Sequence, residues 1–361
     1  MPVPPALDLS AGSVALTRSL CDLPSVSGDE AVLADAIETV LLRHPHLDVT
    51  RDGDAIVART MLGRAQRVII AGHIDTVPIN DNLPTRVEDV EGDEYLWGRG
   101  TVDMKAGVAV ALVLAAELDD PPVDVTWIFY DNEEVDAELN GLGRLARNHP
   151  DLLAGDFAIL GEPSNGGVEG GCNGTMRLEL RTSGLRAHSA RSWVGENAIH
   201  KLGDALTRLA AYEPRTVEVD GLAYREGLNA VTVSGGVAGN VVPDAATLVL
   251  NYRFAPDQSA AEAADRVRAL FSDYDVVVVD QAEGARPGLD APLAQAFVAA
   301  VGAEAKPKYG WTDVARFSAL GIPAVNFGPG DPLKAHADDE RVLVSQITDV
   351  ERALRAWLTT S

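Results

Sequence analysis

The sequence predicts an α/β protein: a doubly wound, mostly parallel sheet with helices on its faces, interrupted by an inserted α+β domain of ferredoxin-like (βαββαβ) order. Three observations predict it. Short apolar runs end in polar or glycine-rich turns at "RVIIAGHID" (67–75), "VTWIFYDNEE" (125–134), "FAILGEP" (157–163) and "PAVNFGPG" (323–330), as buried strands do. Helical patterns such as "AGVAVALVLAAEL" (106–118) lie between them, and "EAVLADAIETVLLR" (30–43) precedes them; strands alternating with helices build parallel sheets. The stretch 176–287 has a different rhythm.

In that stretch "MRLELRTSG" alternates as a strand, "NAIHKLGDALTRLAAY" is helical, and "NAVTVSGGV" and "ATLVLNYRF" are two further strands. A helix, "SAAEAADRVRALF", and a last strand, "YDVVVVD", complete the split β-α-β-β-α-β order. The expected domains are therefore 1–175 with 288–361, and an insert at 176–287. A small sheet of this order leaves an edge that must be covered or paired, and pairing two inserts into a homodimer would do so.

A chain of 361 residues is long enough for two domains. Its hydrophobic content of 46% and charged content of 23% are those of an ordinary folded protein. No window resembles a membrane span, and "MPVPPALDLS" shows no basic-then-apolar leader. Cys21 and Cys172 are the only cysteines, too few for a disulfide framework. These features point to the cytoplasm. A net charge of -24 argues against nucleic acid, whose phosphates need Lys and Arg. An anionic substrate would require local arginines or metal ions.

The polar residues where strands end form one set: His73, Asp75, Asp103, Glu133, Glu134 and Glu162, with His336 further on. Taken alone, "DNEE" (131–134) reads as a solvated acidic turn. Taken with the histidines, the mixed nitrogen and oxygen donors suit zinc, cobalt or manganese. In an open parallel sheet such residues collect at the carboxyl ends of the strands. His44, His46, His149 and His200 read as loop or helix-surface residues, and Cys172 as a buried thiol.

Local sequences sharpen this. "GHIDTVP" (72–78), "GRGTVDMKAG" (98–107), "DNEE", "GEPS" (161–164), "RAHSARSWVGENAIH" (186–200) and "AHADDE" (335–340) occur in this order. Together they resemble the M20 family of co-catalytic zinc amidohydrolases and peptidases, over about residues 20–340. The resemblance implies two divalent ions, zinc first, with cobalt or manganese as alternatives in one site. His73, Asp103 and Glu162 would hold one, and Asp103, Glu134 and His336 the other, with Asp103 bridging and the Asp103–Met104 peptide cis. Glu133 would be general base and acid, and Asp75 would orient His73. His188 would donate to the oxyanion, and Arg253 would grip a substrate carboxylate. Asn240, Thr312 and Asp313 match positions that line the family's substrate pocket, and Arg177, after "GCNGT", is a further candidate substrate contact that with Arg186 and Arg191 adds positive charge. "GLAYREGLN" (221–229) and "GWTDVARFSALGIPAVNFGPGD" (310–331) resemble an actinobacterial branch of the family. That likeness implies hydrolysis of N-succinyl-LL-2,6-diaminopimelate, a small N-acyl amino acid, to succinate and LL-2,6-diaminopimelate. The alternatives are another N-acyl amino-acid deacylase, such as one acting on acetylornithine, or a metal-free binding protein on the same scaffold.

Overall fold

The computed structural model describes residues 6–360. Residues 1–5, part of the stretch searched for a leader, lie outside the described residues. The chain divides into two compact units. The first holds residues 1–170, 288–306 and 316–361, and the second holds 171–287 and 307–315. No helix among the described residues is long and apolar enough to cross a membrane.

The first unit carries an eight-stranded sheet in the order Asp48–Asp52, Ala55–Arg59, Asp124–Tyr130, Arg67–His73, Phe157–Leu160, Ala324–Asn326, Glu169–Gly170 and Lys306–Pro307. The four central strands run parallel to one another. On one flank, Asp48–Asp52 and Ala55–Arg59 form a hairpin through Gly53, with φ of 62°, and Asp54. A two-residue connection can join only antiparallel strands, so the expected mostly parallel sheet is in fact mixed. Glu169–Gly170 is antiparallel to Ala324–Asn326 on the other side.

The central strands are apolar on both faces, because helices cover the sheet. All seven residues of Asp124–Tyr130 are buried. The helix Lys105–Glu117 is apolar around nearly its whole circumference, and eleven of its residues, Lys105 to Ala115, are buried. Such a helix belongs inside a protein, and it packs against Ser13–Cys21, Val344–Thr360 and the strand Arg67–His73. Its fit against the strand ends is close: a Cβ on Gly107 would lie 2.2 Å from the Gly161 carbonyl oxygen. Phe157, Phe297, Phe327 and Trp357 add a cluster of edge-to-face and tilted rings.

Register matters for the site. His73 lies opposite Tyr130, and Leu160 lies opposite both Ala71 and Asn326. The four parallel strands therefore end at one rim. A separate three-stranded sheet, Arg86–Val90, Asp93–Trp97 and Arg341–Leu343, pairs Arg341 with Trp97. It brings the segment after His336 beside the segment before Asp103.

The second unit is a four-stranded antiparallel sheet in the order Gly227–Gly235, Ala245–Phe254, Gly174–Ser183, Asp275–Ala282. The helices Ala198–Ala210 and Ala260–Leu270 pack on it through Leu202, Ala205, Ala263, Val267 and the inward residues of the strands. Ser259 and Glu262 form a capping box at the start of the second helix. A hairpin, Thr216–Val219 with Leu222–Arg225, is added to the expected pattern. The unit also begins at Gly171 rather than at 176 and takes in 307–315. Backbone pairing explains the difference: Cys172 bridges Ala285, the Asn173 N–H donates to the Lys308 carbonyl at 3.2 Å, and Trp311 donates to the Glu283 carbonyl at 3.0 Å. Thr312 and Asp313, expected in the first domain, thus belong to the second unit.

Candidate functional site

His73, Glu133, Glu134 and Glu162 stand at or just beyond strand ends, Asp103 precedes a helix, and His336 lies in the loop between the turn Pro332–Lys334 and the strand Arg341–Leu343. His73 is the last residue of its strand and is 1% exposed. Its Nδ1 lies 3.1 Å from the Asp75 carbonyl and 3.4 Å from Asp75 Oδ1, which directs Nε2 the other way. Nε2 lies 3.1 Å from Asp103 Oδ1 and 3.9 Å from Glu162 Oε1. The other Asp103 oxygen, Oδ2, lies 3.3 Å from His336 Nε2, which in turn is 2.9 Å from Glu134 Oε1. Asp103 thus stands between two imidazoles, one oxygen to each, at the N-terminus of the buried helix. The Asp103–Met104 peptide is cis.

The acidic segment lies beyond the strand, whose last residue is Tyr130. The chain bends after Tyr130 through Asn132, at φ of 58°, an uncommon value for a residue with a Cβ. Asp131 turns away and is gripped by both terminal nitrogens of Arg144 at 2.6 and 3.0 Å. Asp75 accepts the backbone N–H groups of both Glu133 and Glu134, at 3.0 and 3.1 Å, and the Ser27 hydroxyl at 2.7 Å. Both glutamates are thereby aimed at the cluster, and each offers an oxygen within 4.8 Å of the other and of a His73 nitrogen.

Two three-residue groups have donor atoms mutually within 4.8 Å and share Asp103: His73, Asp103 and Glu162, and Asp103, Glu134 and His336. Donors bound tetrahedrally at about 2.1 Å from one ion sit about 3.4 Å apart. The donor separations of 3.1 and 3.9 Å in one group and 3.3 and 2.9 Å in the other fit such ions, and so does the mix of imidazole and carboxylate.

The ionisable groups of the cluster shift one another strongly. Burial by itself would lower the His73 pKa, but hydrogen bonds to Asp103 and Asp75 outweigh it and hold the value well above the usual one. Hydrogen bonds to Asp103 and Glu134 raise His336 to about 10. Asp103 is held far below the normal carboxylate range despite burial, because both histidines donate to it.

Sequence reasoning passed over several supports. Ser27 comes from a loop with no recognisable motif, and Glu30 caps the helix Ala31–Leu41; Glu30 accepts the N–H groups of Gly28 at 2.8 Å and Asn132 at 3.1 Å. Arg99 and Glu340 lie inside quoted motifs but had been given no role. Lys105, fully buried, donates to the carbonyls of Leu20 and Leu23 at 3.0 and 2.9 Å, and burial lowers its pKa to about 8.

The remaining candidates lie on the second unit. His188 is exposed, and its Nδ1 accepts from the Ala190 N–H at 3.0 Å. The neutral ring therefore carries its proton on Nε2. The Asn240 carbonyl accepts from the Ser189 N–H at 2.9 Å, and His188 pairs with Val241, so these two candidates share one loop cluster. Arg253 is half-buried, donates to Asn251 at 3.3 Å and forms no ion pair among the described residues; burial and nearby Arg177 both lower its pKa. Arg177 is exposed and paired with Asp280 at 3.2 Å, and Arg186 with Asp244 at 2.9 Å. Thr312 and Asp313 are buried, and the Thr312 carbonyl accepts from the Cys172 thiol.

In protein stripped of divalent ions, His73 and His336 are expected to remain protonated at pH 7.5, read from their imidazole resonances by NMR. The His336 folded pKa exceeds its unfolded value of about 6.5. Its contribution to stability is therefore complete below that pH and is lost as pH rises toward about 10. Titration of both rings near pH 6.5 would contradict the clustered geometry.

Comparison with known proteins adds the following. The model of peptidase family M20/M25/M40 matches residues 69–360. A succinyl-diaminopimelate desuccinylase of Corynebacterium glutamicum is 49% identical, with 98% of each chain covered. A Mycobacterium tuberculosis chain provisionally given the same name is 54% identical, covering 98% of this chain and 99% of that one. Among solved structures, a tripeptidase of Staphylococcus aureus superposes with a TM-score of 0.78 at 19% identity, covering 98% of this chain and 99% of that one. A dinuclear metal-binding M20 peptidase of Bacillus subtilis superposes with a TM-score of 0.66 at 17% identity, covering 96% of each chain. The family match spans most of the sequence and the two relatives span nearly all of it, so this chain belongs to peptidase family M20/M25/M40.

Proposed function

We propose that this protein is a metal-dependent amide hydrolase that cleaves N-succinyl-LL-2,6-diaminopimelate to succinate and LL-2,6-diaminopimelate in the cytoplasm. The observation that carries the chemistry is Asp103, with one oxygen facing His73 and the other facing His336. The substrate rests on the two relatives that match over nearly the full length. Zinc is the first choice for the ions, with cobalt or manganese as alternatives in one site.

His73, Asp103 and Glu162 would hold one ion, and Asp103, Glu134 and His336 the other. Two divalent ions bound there would make a water more acidic, toward a pKa of about 7, and would polarise an acyl carbonyl. Glu133 removes the proton from the attacking water and passes it to the departing amine. Asp75 fixes the Glu133 backbone so that this carboxylate faces the reacting water. His188, protonated on Nε2, donates to the oxyanion that develops on the carbonyl. Arg253 presents a forked donor suited to the succinyl carboxylate, with Asn240, Arg177, Thr312 and Asp313 as further substrate contacts.

The second unit is proposed to pair with its copy in a homodimer. Gly227–Gly235 is an edge strand. Its Val231 and Val233 are 55% and 58% exposed, and Ile199 and Leu206 of the adjoining helix are 39% and 42% exposed. Edges with exposed apolar side chains recruit another strand or helix, and an isologous contact is the commonest closed form. Light scattering at micromolar concentration should give twice the chain mass; a fully active monomer would rule the pairing out.

Glu133→Gln should retain two bound ions and lose roughly 10² to 10⁴ in kcat. Near wild-type turnover with both ions bound would remove Glu133 as the base.

The substrate is tested by a panel. Succinyl-diaminopimelate carries a second acyl carboxylate that acetylornithine lacks, and a site built for a charged group rejects an analogue that leaves it unpaired. Its kcat/KM should exceed that for acetylornithine by at least about 10³. Arg253→Ala should narrow the gap mainly by impairing the succinyl substrate. Equal activity on both would leave only a metal-dependent deacylase.

A further inference from the structure

We propose that Glu340, acting with Arg99, is a positioning residue that sets the Asp103–Glu134–His336 cation site separately from the His73–Asp103–Glu162 site. The inference rests on the two-ion reading above and goes beyond it, because neither residue touches an ion or substrate there.

Glu340 is 1% exposed and Arg99 3%. Glu340 Oε1 accepts the backbone N–H groups of Val102 at 2.9 Å and Asp103 at 3.2 Å. Its Oε2 accepts Arg99 Nη1 at 2.7 Å. The same guanidinium donates to the carbonyls of Ala337 at 3.4 Å and His336 at 3.5 Å. One buried ion pair therefore grips the backbone of the shared carboxylate on one side and that of a histidine ligand on the other. The Glu340 carbonyl also accepts the Gly98 N–H at 3.0 Å, at the end of the small sheet that pairs Arg341 with Trp97.

His336 needs such a grip. It sits at φ of 63°, a left-handed conformation that a residue with a Cβ rarely adopts. Its side chain is 52% exposed, so packing does not fix it. His73 is in the opposite situation: it ends a central strand, is buried, and has its ring held by Asp75. Loss of the Arg99–Glu340 pair would disturb Asp103 modestly for both ions and His336 for one ion only. A buried ion pair is also an inefficient way to add stability, since desolvation offsets most of its attraction. Alignment is what the geometry gives in return.

The test is titration of the chelator-treated full-length protein with Co²⁺ alone, followed by its visible absorption. Wild type should take up two ions. Glu340→Gln, which keeps the shape but supplies an amide where the carboxylate accepts from both sides, should bind one ion with an affinity lowered no more than about 3-fold and a nearly unchanged spectrum. Its second ion should bind about 10- to 100-fold more weakly. Arg99→Lys, which cannot fork to Glu340 and both carbonyls, should give a milder version of the same split and serves if the first variant does not fold. Unchanged affinity at both sites, or equal weakening of both in a folded variant, overturns the inference. Failure of wild type to bind cobalt overturns the two-ion reading, and the inference with it.

Discussion

Asp103 has two oxygens, and each faces a different histidine. That single geometry constrains much of the first unit. The carboxylate must sit at the N-terminus of a helix, where its charge is favoured, and level with the rim where His73 leaves its strand. The helix Lys105–Glu117 meets this by pressing against the strand ends, so closely that Gly107 lies against the Gly161 carbonyl. His336 must then be brought to the other oxygen from far along the chain, which the small sheet pairing Arg341 with Trp97 accomplishes.

Charge is the second constraint. Asp75, Asp103, Glu133, Glu134 and Glu162 approach one another closely, in a chain that already carries 54 acidic residues against 30 basic ones. Their mutual repulsion is relieved in layers. Asp75 is satisfied by two backbone N–H groups and a serine, and Asp131 leaves the cluster for Arg144. The rest is balanced by protons on two histidines whose pKa values stand far above normal. Imidazole and carboxylate groups already within hydrogen-bond distance of one another also have the separations that donors to a common cation require.

The sequence made the strands, the alternation with helices and the order of the second unit legible, because burial periodicity is a local signal. It was a poorer guide to strand direction: the Asp48–Arg59 hairpin is antiparallel through a two-residue turn that apolar patterning does not encode. The boundary error at 307–315 has a similar origin, since the bonds of Asn173 to Lys308 and Trp311 to Glu283 join residues remote in sequence. Motifs revealed which residues would gather, and the geometry gathers His73, Asp103, Glu134, Glu162 and His336 in two groups sharing one member. They did not reveal Glu340, Arg99 or Glu30, which grip backbone amides and carbonyls whose positions no side-chain pattern announces, nor Ser27, whose hydroxyl reaches the Asp75 carboxylate from far away in sequence.

A preference for a succinyl over an acetyl group, as proposed above, calls for a cation able to take up a free carboxylate. The arginines of the second unit differ in what they have left to offer. Arg177 and Arg186 are exposed and already paired with Asp280 and Asp244, so a ligand carboxylate would have to compete with an existing partner for a solvated cation. Arg253 is half-buried, forms no ion pair among the described residues, and donates to the neutral Asn251 amide. Desolvation without a counter-ion is costly, and the lowered pKa of Arg253 reflects it. An anion arriving there would relieve a cost already present in the folded protein, whereas at Arg177 it would only replace one carboxylate by another. On physical grounds Arg253 is therefore the strongest candidate among these residues for distinguishing a succinyl from an acetyl group.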